Sequence, residues 1–227
     1  MLHLAETFYS IQGEGLLAGV PSFFIRFTGC NLRCVWCDTP YTSWKPEGEK
    51  RSLEDVLAEV QAQACGYVVV TGGEPMIHPE VVTLCARLKQ AGQHITIETN
   101  GTVFRELACD LMSISPKLRN STPWKRAQGR WAAAHEQARW RPDIVQQLMA
   151  HYPYQLKFVV ADPADLEEIR ALAAEVKADP RRVLLMPEGR SSKTLRERTW
   201  IASACREYGY RYGPRLHVHL WGDRRGI

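Results

Sequence analysis

The sequence predicts an α/β protein whose parallel sheet forms a partial (β/α)6-type TIM barrel. Three observations favour this fold class. Short apolar runs typical of buried strands recur along the chain, segments with apolar residues at helical spacing separate them, and polar or glycine-rich residues follow the strand ends. About six strand and helix units are too few to close an eight-stranded barrel. Because the 227 residues contain no linker, repeat or low-complexity stretch, we expect a single domain over 1–227.

Local signals justify each element in chain order. The strands are short apolar runs, of which the first contains one charge, Arg26, and ends just before Gly29. The helices begin near capping residues such as Ser52, Pro79 and Asp162. In order, the prediction is strand 23–27, helix 53–65, strand 67–71, helix 79–91, strand 94–98, helix 104–108, strand 111–115, helix 142–149, strand 155–160, helix 163–176, strand 183–186, helix 195–208 and strand 216–220.

The composition excludes several function classes. The formal net charge of +4 argues against a dedicated membrane-surface or nucleic-acid binder. The first residues lack the features of a signal peptide, and no apolar run reaches membrane-spanning length. Seven cysteines, three of them crowded together, favour reduced thiols over a disulfide framework. We therefore expect a soluble, cytoplasmic protein with no membrane partner, in which the small buried thiols are Cys65, Cys85, Cys109 and Cys205.

One segment departs from this charge balance. Between Lys117 and Arg141 there are seven basic residues and one acid, Glu136, with three interleaved tryptophans. Such a stretch could contact phosphates and stack on bases, as in a noncatalytic RNA-binding module. The alternative is a solvated insertion whose tryptophans anchor it to the barrel wall, which the modest overall charge favours. A nucleic-acid partner is therefore not expected.

Three cysteines, Cys30, Cys34 and Cys37, give a CxxxCxxC spacing directly after the first predicted strand. Three thiolates can hold three irons of a [4Fe-4S] cluster and leave the fourth iron open for another ligand. A three-Cys zinc site completed by a His is the alternative, but no second CxxC and no HxxxH follows. The spacing therefore favours an iron–sulfur cluster.

Other polar and glycine residues follow the remaining strands, at the edge where parallel sheets bind ligands. The run Gly72-Gly73-Glu74-Pro75 can bring backbone groups close to a ligand, although Glu74 could instead cap the following turn. Arg26, inside an apolar strand, needs a charged partner. That partner is either Glu14 or a substrate carboxylate, which an Arg side chain can clamp with two hydrogen bonds.

Six motifs, spread over most of the chain, carry a closer resemblance. They are Ile11-Gln12-Gly13-Glu14-Gly15, Phe24-Ile25-Arg26, Cys30 to Cys37 with Asp38-Thr39, Val70 to Pro75, Ile97 to Gly101, and Ser115-Pro116-Lys117. On these residues the chain resembles the 7-carboxy-7-deazaguanine synthase family of the radical S-adenosylmethionine (SAM) superfamily. The resemblance implies an enzyme of queuosine biosynthesis, a tRNA modification pathway. Such an enzyme converts 6-carboxy-5,6,7,8-tetrahydropterin to 7-carboxy-7-deazaguanine with loss of ammonia.

The resemblance also implies cofactors and the residues that bind them. Cys30, Cys34 and Cys37 would be the catalytic ligands of a [4Fe-4S] cluster. Residues near the cluster and at the strand ends would contact SAM, namely Trp36, Gly73, Glu74, Ser115, Pro116 and Lys117. Thr39 would bind Mg2+, which prefers oxygen ligands and keeps several waters. Glu98 and the segment 186–188 are further candidates for SAM contacts.

The expected substrate contacts come from both ends of the chain. They are Ile11, Gln12, Gly13, Glu14, Arg26, Thr71 and His219. In the predicted final strand His217 and His219 share one face, and the alternative is that both lie on a solvated edge. The stretch 186–189 lacks a Gln that related enzymes often carry, and the tail 223–227 departs from family tails. The resemblance further implies a homodimer and a flavodoxin-type electron donor.

A glycyl-radical-enzyme activating enzyme is the nearest rival, because it shares the cysteine spacing. It would need a groove for a partner protein instead of a pocket for a carboxylate. Glu14, Arg26 and Thr39 favour the small molecule. The sequence leaves open the dimer interface, the identity of the electron donor and the role of 117–141.

Overall fold

One nine-stranded sheet organises the computed structural model, which describes residues 1–227. The strands are β1 Leu2–Ile11, β2 Pro21–Phe27, β3 Glu49–Arg51, β4 Tyr67–Gly72, β5 His94–Thr99, β6 Leu111–Ile114, β7 Tyr154–Val160, β8 Val183–Pro187 and β9 Arg211–Tyr212. The helices are α1 Leu53–Ala62, α2 Glu80–Gln90, α3 Ala132–Ala138, α4 Pro142–His151, α5 Asp165–Glu175, α6 Ser192–Glu197, α7 Trp200–Tyr208 and α8 Leu216–Trp221. None of the eight helices combines the length and the apolar composition of a membrane-spanning segment.

The sheet is open, with strand order β3-β1-β2-β4-β5-β6-β7-β8-β9. Strands β2, β4, β5, β6, β7 and β8 run parallel to one another, with β9 added in parallel at one edge. At the other edge β1 pairs antiparallel with both β2 and β3. The six central strands form the partial barrel that the sequence predicts, and their carboxyl ends meet at one edge.

The helices cover the outer face of the sheet and bury a continuous core. Leu84 and Leu88 of α2 and Val145 and Leu148 of α4 are fully buried against strand residues such as Ile97. The predicted cap of the first helix is confirmed, because the Ser52 side chain accepts a hydrogen bond from the Asp55 amide. The core stabilises the sheet, and the polar strand ends remain for the site.

Two predicted elements are wrong. Residues 104–108 form no helix, because their polar groups bond elsewhere: Arg105 donates to the carbonyls of Met76 and Ile77, and the Leu107 amide donates to the Tyr152 hydroxyl. Residues 216–220 belong to a helix, α8, although their apolar alternation resembles a strand. The edge of β8 is already paired with β9, so no strand edge is left beside it for this segment.

Other differences concern bounds and missed strands. The predicted helix 195–208 is two helices, α6 and α7, separated where Arg198 turns inward to bond Glu188 and the Val160 carbonyl. The prediction missed β1, β3 and β9. Only part of strand β1 is buried, so both polar and apolar residues occur along it and its apolar alternation is weak. This omission matters for the site, since β1 supplies the partner of Arg26.

Candidate active site

A cavity of about 500 Å3 lies at the carboxyl ends of the parallel strands. Its wall brings together most of the residues that the sequence singles out, namely Ile11, Gln12, Gly13, Glu14, Arg26, Cys30, Cys34, Trp36, Cys37, Thr39, Thr71, Gly73, Ser115 and Lys117. Three other candidates, Glu74, Pro116 and His219, do not line it. Strand ends far apart in sequence therefore converge on one cavity.

The cysteine loop, residues 28–39, follows β2, and its three cysteines form no disulfide. Within the loop, the Leu32 amide lies 3.4 Å from Cys30 Sγ as a hydrogen-bond donor. Cys37 Sγ lies 3.3 Å from the Ser43 hydroxyl. Hydrogen bonds to sulfur of this kind stabilise a thiolate and tune an iron–sulfur centre. The loop is thus provided with polar groups that suit metal-bound sulfur.

Without a metal, these thiols lie in a poor environment for negative charge. Burial raises the pKa of the Cys30 thiol to about 12, although the Leu32 amide and Lys117 oppose the shift. Burial also raises the pKa of Cys34, against the nearby Lys117. Since a metal ligand must be deprotonated, a bound metal would add its positive charge to that of Lys117 in stabilising these thiolates. The donor set therefore fits an iron–sulfur cluster.

The zinc alternative finds no support in the arrangement. No group of three His, Cys, Asp or Glu side chains is close enough to bind one metal ion. The histidine nearest the cysteine loop, His135, is occupied, because Nδ1 accepts from the Arg33 amide and Nε2 bonds the Ser121 hydroxyl. His78 likewise bonds the Thr28 carbonyl through Nε2. A Cys3His zinc site would require such a ring to be released.

The basic, tryptophan-containing segment 117–141 supports the cysteine loop from outside. The Val35 amide donates to the Ser121 carbonyl over 2.7 Å, and Arg126 donates to the Val35 carbonyl over 3.0 Å. His135 lies between the loop and Ser121, with the two hydrogen bonds described above. Two of the three tryptophans are anchored: Arg33 lies over the Trp131 ring, and the Trp140 indole donates to Glu175. The segment packs on the loop that carries the cysteines.

Gly72 and Gly73 follow β4 and pass close to the cysteine loop. Gly72 has φ of 146°, which favours glycine, and a Cβ atom there would collide with the backbone of Phe27. A Cβ atom on Gly73 would collide with the Gly29 carbonyl and the Cys30 side chain. Both glycines are needed so that the backbone after β4 can line the cavity beside the thiols.

Glu74 does not point into the cavity. Its fully buried carboxylate accepts from the Met76 amide, the Thr99 hydroxyl and the Asn100 amide. This is the turn-capping role that the sequence left as the alternative, and it ties the end of β4 to the end of β5. Pro116 is also buried behind the wall, whereas its neighbours Ser115 and Lys117 line the cavity. Lys117 Nζ donates to the Ser115 hydroxyl over 2.9 Å.

On the side of the cavity opposite the cysteines, which we call the polar wall, Glu98 connects several side chains. Its two carboxylate oxygens accept from Gln12 Nε2 over 3.2 Å and from the Thr71 hydroxyl over 2.8 Å. The side-chain oxygen of Gln12, Oε1, in turn accepts from the Glu14 backbone amide. Three motifs that are remote in sequence are thus connected by hydrogen bonds around one carboxylate.

A buried charge network centres on Glu14. Its carboxylate accepts from Lys157 Nζ over 2.5 Å and from Arg215 Nε over 3.1 Å. Burial alone would raise the pKa of Glu14, but Lys157 and Arg215 outweigh it and hold the pKa well below its ordinary value. Burial would lower the pKa of Lys157, yet Glu14 and Glu98 raise it, so both partners stay ionised.

Arg215 joins three separate parts of the cavity wall. Besides Glu14, it donates to the Asp38 carboxylate and to the Gly189 carbonyl, each over 2.6 Å. Asp38 lies between Cys37 and Thr39, so this one buried guanidinium links the cysteine loop to the charged wall. Sequence reasoning missed Arg215, because no local motif marks a contact across 177 residues.

The sequence left Glu14 or a substrate carboxylate as the partner of Arg26, and the structure excludes Glu14. Arg26 Nε donates to Glu6 over 2.7 Å, and Glu6 lies directly across from Arg26 in the antiparallel β1/β2 pair. Tyr41 and Arg225 also donate to the Glu6 carboxylate. Prediction of β1 with its register would have identified Glu6. Because the contact uses Nε, both Nη nitrogens of Arg26 remain for a ligand carboxylate.

His217, and not His219, lines the cavity. The two residues share a face in a strand, but in helix α8 they are about 200° apart, so His219 is exposed. The His217 ring packs against Gly13 so closely that a Cβ atom there would collide with it. Burial lowers the pKa of His217, although Glu14, 4.0 Å away, opposes the shift.

Comparisons with known proteins agree with this geometry. Residues 24–117 match the model of the radical SAM superfamily. The chain is 47% identical over 234 residues to the 7-carboxy-7-deazaguanine synthase of Halobacterium salinarum, with 98% of this chain and 91% of the relative covered. It is 44% identical to the enzyme of the same name from Rhodopirellula baltica, over 99% of this chain and 88% of the relative. The chain belongs to the 7-carboxy-7-deazaguanine synthase family.

A solved structure shares the fold over nearly the whole chain. The crystal structure of QueE from Escherichia coli superposes with a TM-score of 0.69 at 28% identity, covering 95% of this chain and 94% of that one. SuiB from Streptococcus suis shares the fold alone, at a TM-score of 0.54 and 12% identity. The chain is therefore a radical SAM enzyme, a class defined by a [4Fe-4S] cluster and SAM, and the predicted partial barrel is confirmed.

Proposed function

We propose that this member of the 7-carboxy-7-deazaguanine synthase family converts 6-carboxy-5,6,7,8-tetrahydropterin to 7-carboxy-7-deazaguanine with loss of ammonia. The observation that carries the proposal is the juxtaposition in one cavity of three thiols with Arg26 and the carboxylates of Glu14 and Glu98. The product is a precursor of queuosine. One chain thus provides a place for the cofactors and a place for a small acidic heterocycle.

The cysteine side would hold the cofactors. Cys30, Cys34 and Cys37 are proposed as cluster ligands, with Gly73 and Lys117 among the SAM contacts. When bound, the cluster and SAM supply one-electron radical chemistry. Trp36 completes this side of the wall, and its indole is held in place by a 3.1 Å hydrogen bond to Asn120. Gly72 and Gly73 carry no side chains, so their backbone leaves room beside the thiols and a ligand can approach them closely.

The opposite side matches the polar groups of a carboxylated pterin. Glu98 and Glu14 present carboxylate oxygens, which are acceptors only and suit the N–H groups of a pyrimidine ring. The two free Nη nitrogens of Arg26 suit the substrate carboxylate. Gln12 and Thr71 hold Glu98 in position. His217 takes the place in the cavity that the sequence assigned to His219.

Mg2+ is proposed as a further component, bound through the Thr39 hydroxyl. No cluster of three acidic or histidine side chains forms a complete protein site for a cation. A magnesium ion at Thr39 would therefore take its other ligands from the substrate carboxylate and water, as this cation commonly does. We expect Thr39→Ala to lower turnover and to remove its magnesium dependence while leaving the cluster absorbance intact. Unchanged turnover across a magnesium titration would reject this site.

The remaining parts of the proposal concern the protein as a whole. We propose a single domain over 1–227, a homodimer, a flavodoxin-type electron donor and a cytoplasmic location. The single sheet with one continuous core supports the first. The family resemblance supports the others. Light scattering of the purified holoenzyme tests the dimer, for which the expected mass is twice the 25.8 kDa of one chain.

The experiment that tests the function is an anaerobic assay. Reconstituted enzyme, SAM, a chemical reductant and the carboxypterin should yield the deazapurine acid, identified by its mass and ultraviolet spectrum. SAM cleavage without that product would reject the proposed substrate. A glycyl-radical activating enzyme, in contrast, needs an open groove for a protein, whereas tail residues 222–227 line part of this cavity.

A further inference from the structure

The outer face of the cysteine loop continues into a basic surface. We define the basic surface as Arg33, Val35, Arg119, Trp124, Lys125, Arg126 and Arg130. The sequence from 28 to 37 and from 117 to 135 contains no acidic residue at all. The basic surface is therefore a concentrated patch of positive charge on a protein whose net charge is only +4.

The acidic side chains that border the basic surface are already used. Asp38 is bound by Arg215, and Glu136 accepts from Arg139 and the Thr122 hydroxyl. Glu168 accepts from Arg139 over 2.8 Å and from the Arg119 amide over 3.0 Å. Glu168 also lies 4.0 Å from the Arg119 guanidinium and partly compensates it. The other four basic residues of the surface make no ion pair, so most of its positive charge is uncompensated.

Val35 places this surface next to the cysteines. It lies directly after Cys34 and two residues before Cys37, yet it does not line the cavity, and 38% of it is exposed on the outside. At Val35 the outer face therefore reaches the immediate chain neighbour of a proposed cluster ligand, Cys34. The Arg126 guanidinium donates to the Val35 carbonyl and lies 3.9 Å over the Trp44 ring, and the Trp44 indole donates to the Cys34 carbonyl.

We propose that the basic surface docks an acidic one-electron carrier protein, so that electrons enter through the outer face of the cysteine loop. The inference rests on the proposed function, since a radical SAM enzyme needs an external electron. Positive charge beside an exposed aromatic side chain suits a transient protein complex, in which charge sets the association rate. Trp124, 62% exposed, provides that aromatic. Entry from this side leaves the cavity mouth to the substrate.

RNA is the other partner that a basic surface with tryptophans could take. Binding of single-stranded RNA relies on several aromatic rings that stack on successive bases. Here Trp131 is covered by Arg33 and Arg130, with guanidinium carbons 5.0 and 5.2 Å from its ring centre. Trp140 is bonded to Glu175. With Trp124 alone exposed among the three, a protein partner fits the basic surface better.

The test reverses two charges that make no hydrogen bond to the cysteine loop. Lys125→Glu/Arg130→Glu alters the basic surface, and Lys50→Glu/Arg211→Glu makes the same change of net charge on exposed residues of the two edge strands. Turnover of each holoenzyme is measured with reduced flavodoxin at several salt concentrations, and separately with dithionite. Binding of oxidised flavodoxin is measured by calorimetry, which does not depend on turnover.

For Lys125→Glu/Arg130→Glu we expect the KM and Kd for flavodoxin to rise by at least about tenfold. The salt dependence that the unaltered enzyme shows should shrink, and turnover with dithionite should stay unchanged. The control variant should match the unaltered enzyme. Equal flavodoxin affinity in both variants would overturn the proposal. An equal loss with dithionite would also overturn it, since the surface would then act on the cluster itself.

Two further outcomes would assign the basic surface to another occupant and so contradict the proposal. One is salt-sensitive binding of tRNA that the variant loses while its flavodoxin affinity is kept. The other is a change of molecular mass on light scattering, which would make the surface an interface between two copies of the chain. If dithionite supports no product even with the unaltered enzyme, the proposed substrate fails, but calorimetry still decides the docking surface.

Discussion

The two sides of the cavity are built by different means. On the cysteine side, thiols, glycines and backbone amides dominate, and neutral His135 and the carbonyl of Ser121 hold the loop. On the opposite side, charged groups neutralise one another in buried pairs, of which Glu14 with Lys157 is the most enclosed. On the first side burial raises the pKa of the thiols despite the nearby Lys117, whereas on the second the charges are paired within the protein.

This difference suggests how each side works. Charges that are already paired and hydrogen-bonded keep their geometry, so the polar wall can orient a substrate without rearrangement. Buried thiols bind a metal only after losing their protons, so the charge of a bound cluster would add to that of Lys117 in stabilising the thiolates. Arg215 connects the two sides through Glu14 and Asp38. The predictions below test whether the two sides can be disturbed separately.

The largest effect should come from the cysteine side. Cys34→Ala removes a proposed cluster ligand, so we expect the visible absorbance of the cluster and all turnover to be lost, measured on anaerobically reconstituted protein. The control, Cys205→Ala, alters a buried thiol of the core and should cost only about 1 kcal/mol of stability with the cluster intact. A Cys34→Ala protein with a normal cluster would contradict the ligand assignment.

The next largest effect concerns the residue that joins the two sides. Arg215→Ala removes the partner of Asp38 and one of the two cations bound to Glu14, which keeps Lys157, so we expect a loss of about 3 kcal/mol of unfolding free energy, the lower end for breaking a buried ion pair. Urea denaturation of the apoprotein measures it. Arg215→Lys should lose less because it keeps the charge. Exposed Arg211→Ala should stay within about 0.5 kcal/mol of the unaltered protein. Equal stabilities for Arg215→Ala and Arg211→Ala would argue against the link.

A smaller effect should be confined to the polar wall. Glu6→Gln removes the carboxylate that orients Arg26, so the KM for the carboxypterin should rise about tenfold, or about 1.4 kcal/mol of binding energy. The cluster spectrum should not change, because Glu6 does not line the cavity near the cysteines. Glu49→Gln, on an exposed glutamate of β3, serves as the control. An unchanged KM in Glu6→Gln would mean that Arg26 does not need this partner.

The smallest effect is a pH dependence of the loop support. Burial lowers the pKa of His135 from 6.5 to about 4, against the opposing charge of Glu136. Since the unfolded chain takes up the proton more readily, this contribution to stability is complete above pH 6.5 and is lost as the pH falls toward 4. Unfolding of the apoprotein by urea at several pH values should show this decline, and His135→Gln should flatten it. The same decline in both proteins would exclude His135 as its source.

The sequence predicts the cysteine side of the cavity better than it predicts the polar wall. The cysteine side is encoded locally: CxxxCxxC, the glycines after β4 and Ser115 to Lys117 each lie within a few residues, so spacing reveals them. The alternation of apolar strands and helices likewise predicts the six parallel strands and the helix capped by Ser52. Both kinds of signal depend on neighbours in the sequence, which a single chain displays directly.

The polar wall could not be predicted in the same way. Arg215 meets Asp38 across 177 residues, and its contacts depend on α8, whose apolar alternation predicts a strand. The partner of Arg26 required the register of β1, a strand that half-burial conceals. The assignment of His219 failed for the same reason, because helical geometry rotates it away from the cavity. Long-range pairing and a wrong periodicity account for these errors.

The central claim is that the three thiols hold a four-iron cluster, and Mössbauer spectroscopy of oxygen-free protein tests it most directly. The account predicts that the bound iron forms a [4Fe-4S] cluster that is lost in Cys34→Ala, with one iron site altered when SAM is added. Protein that carries stoichiometric tetrahedral zinc and no iron–sulfur cluster would contradict it.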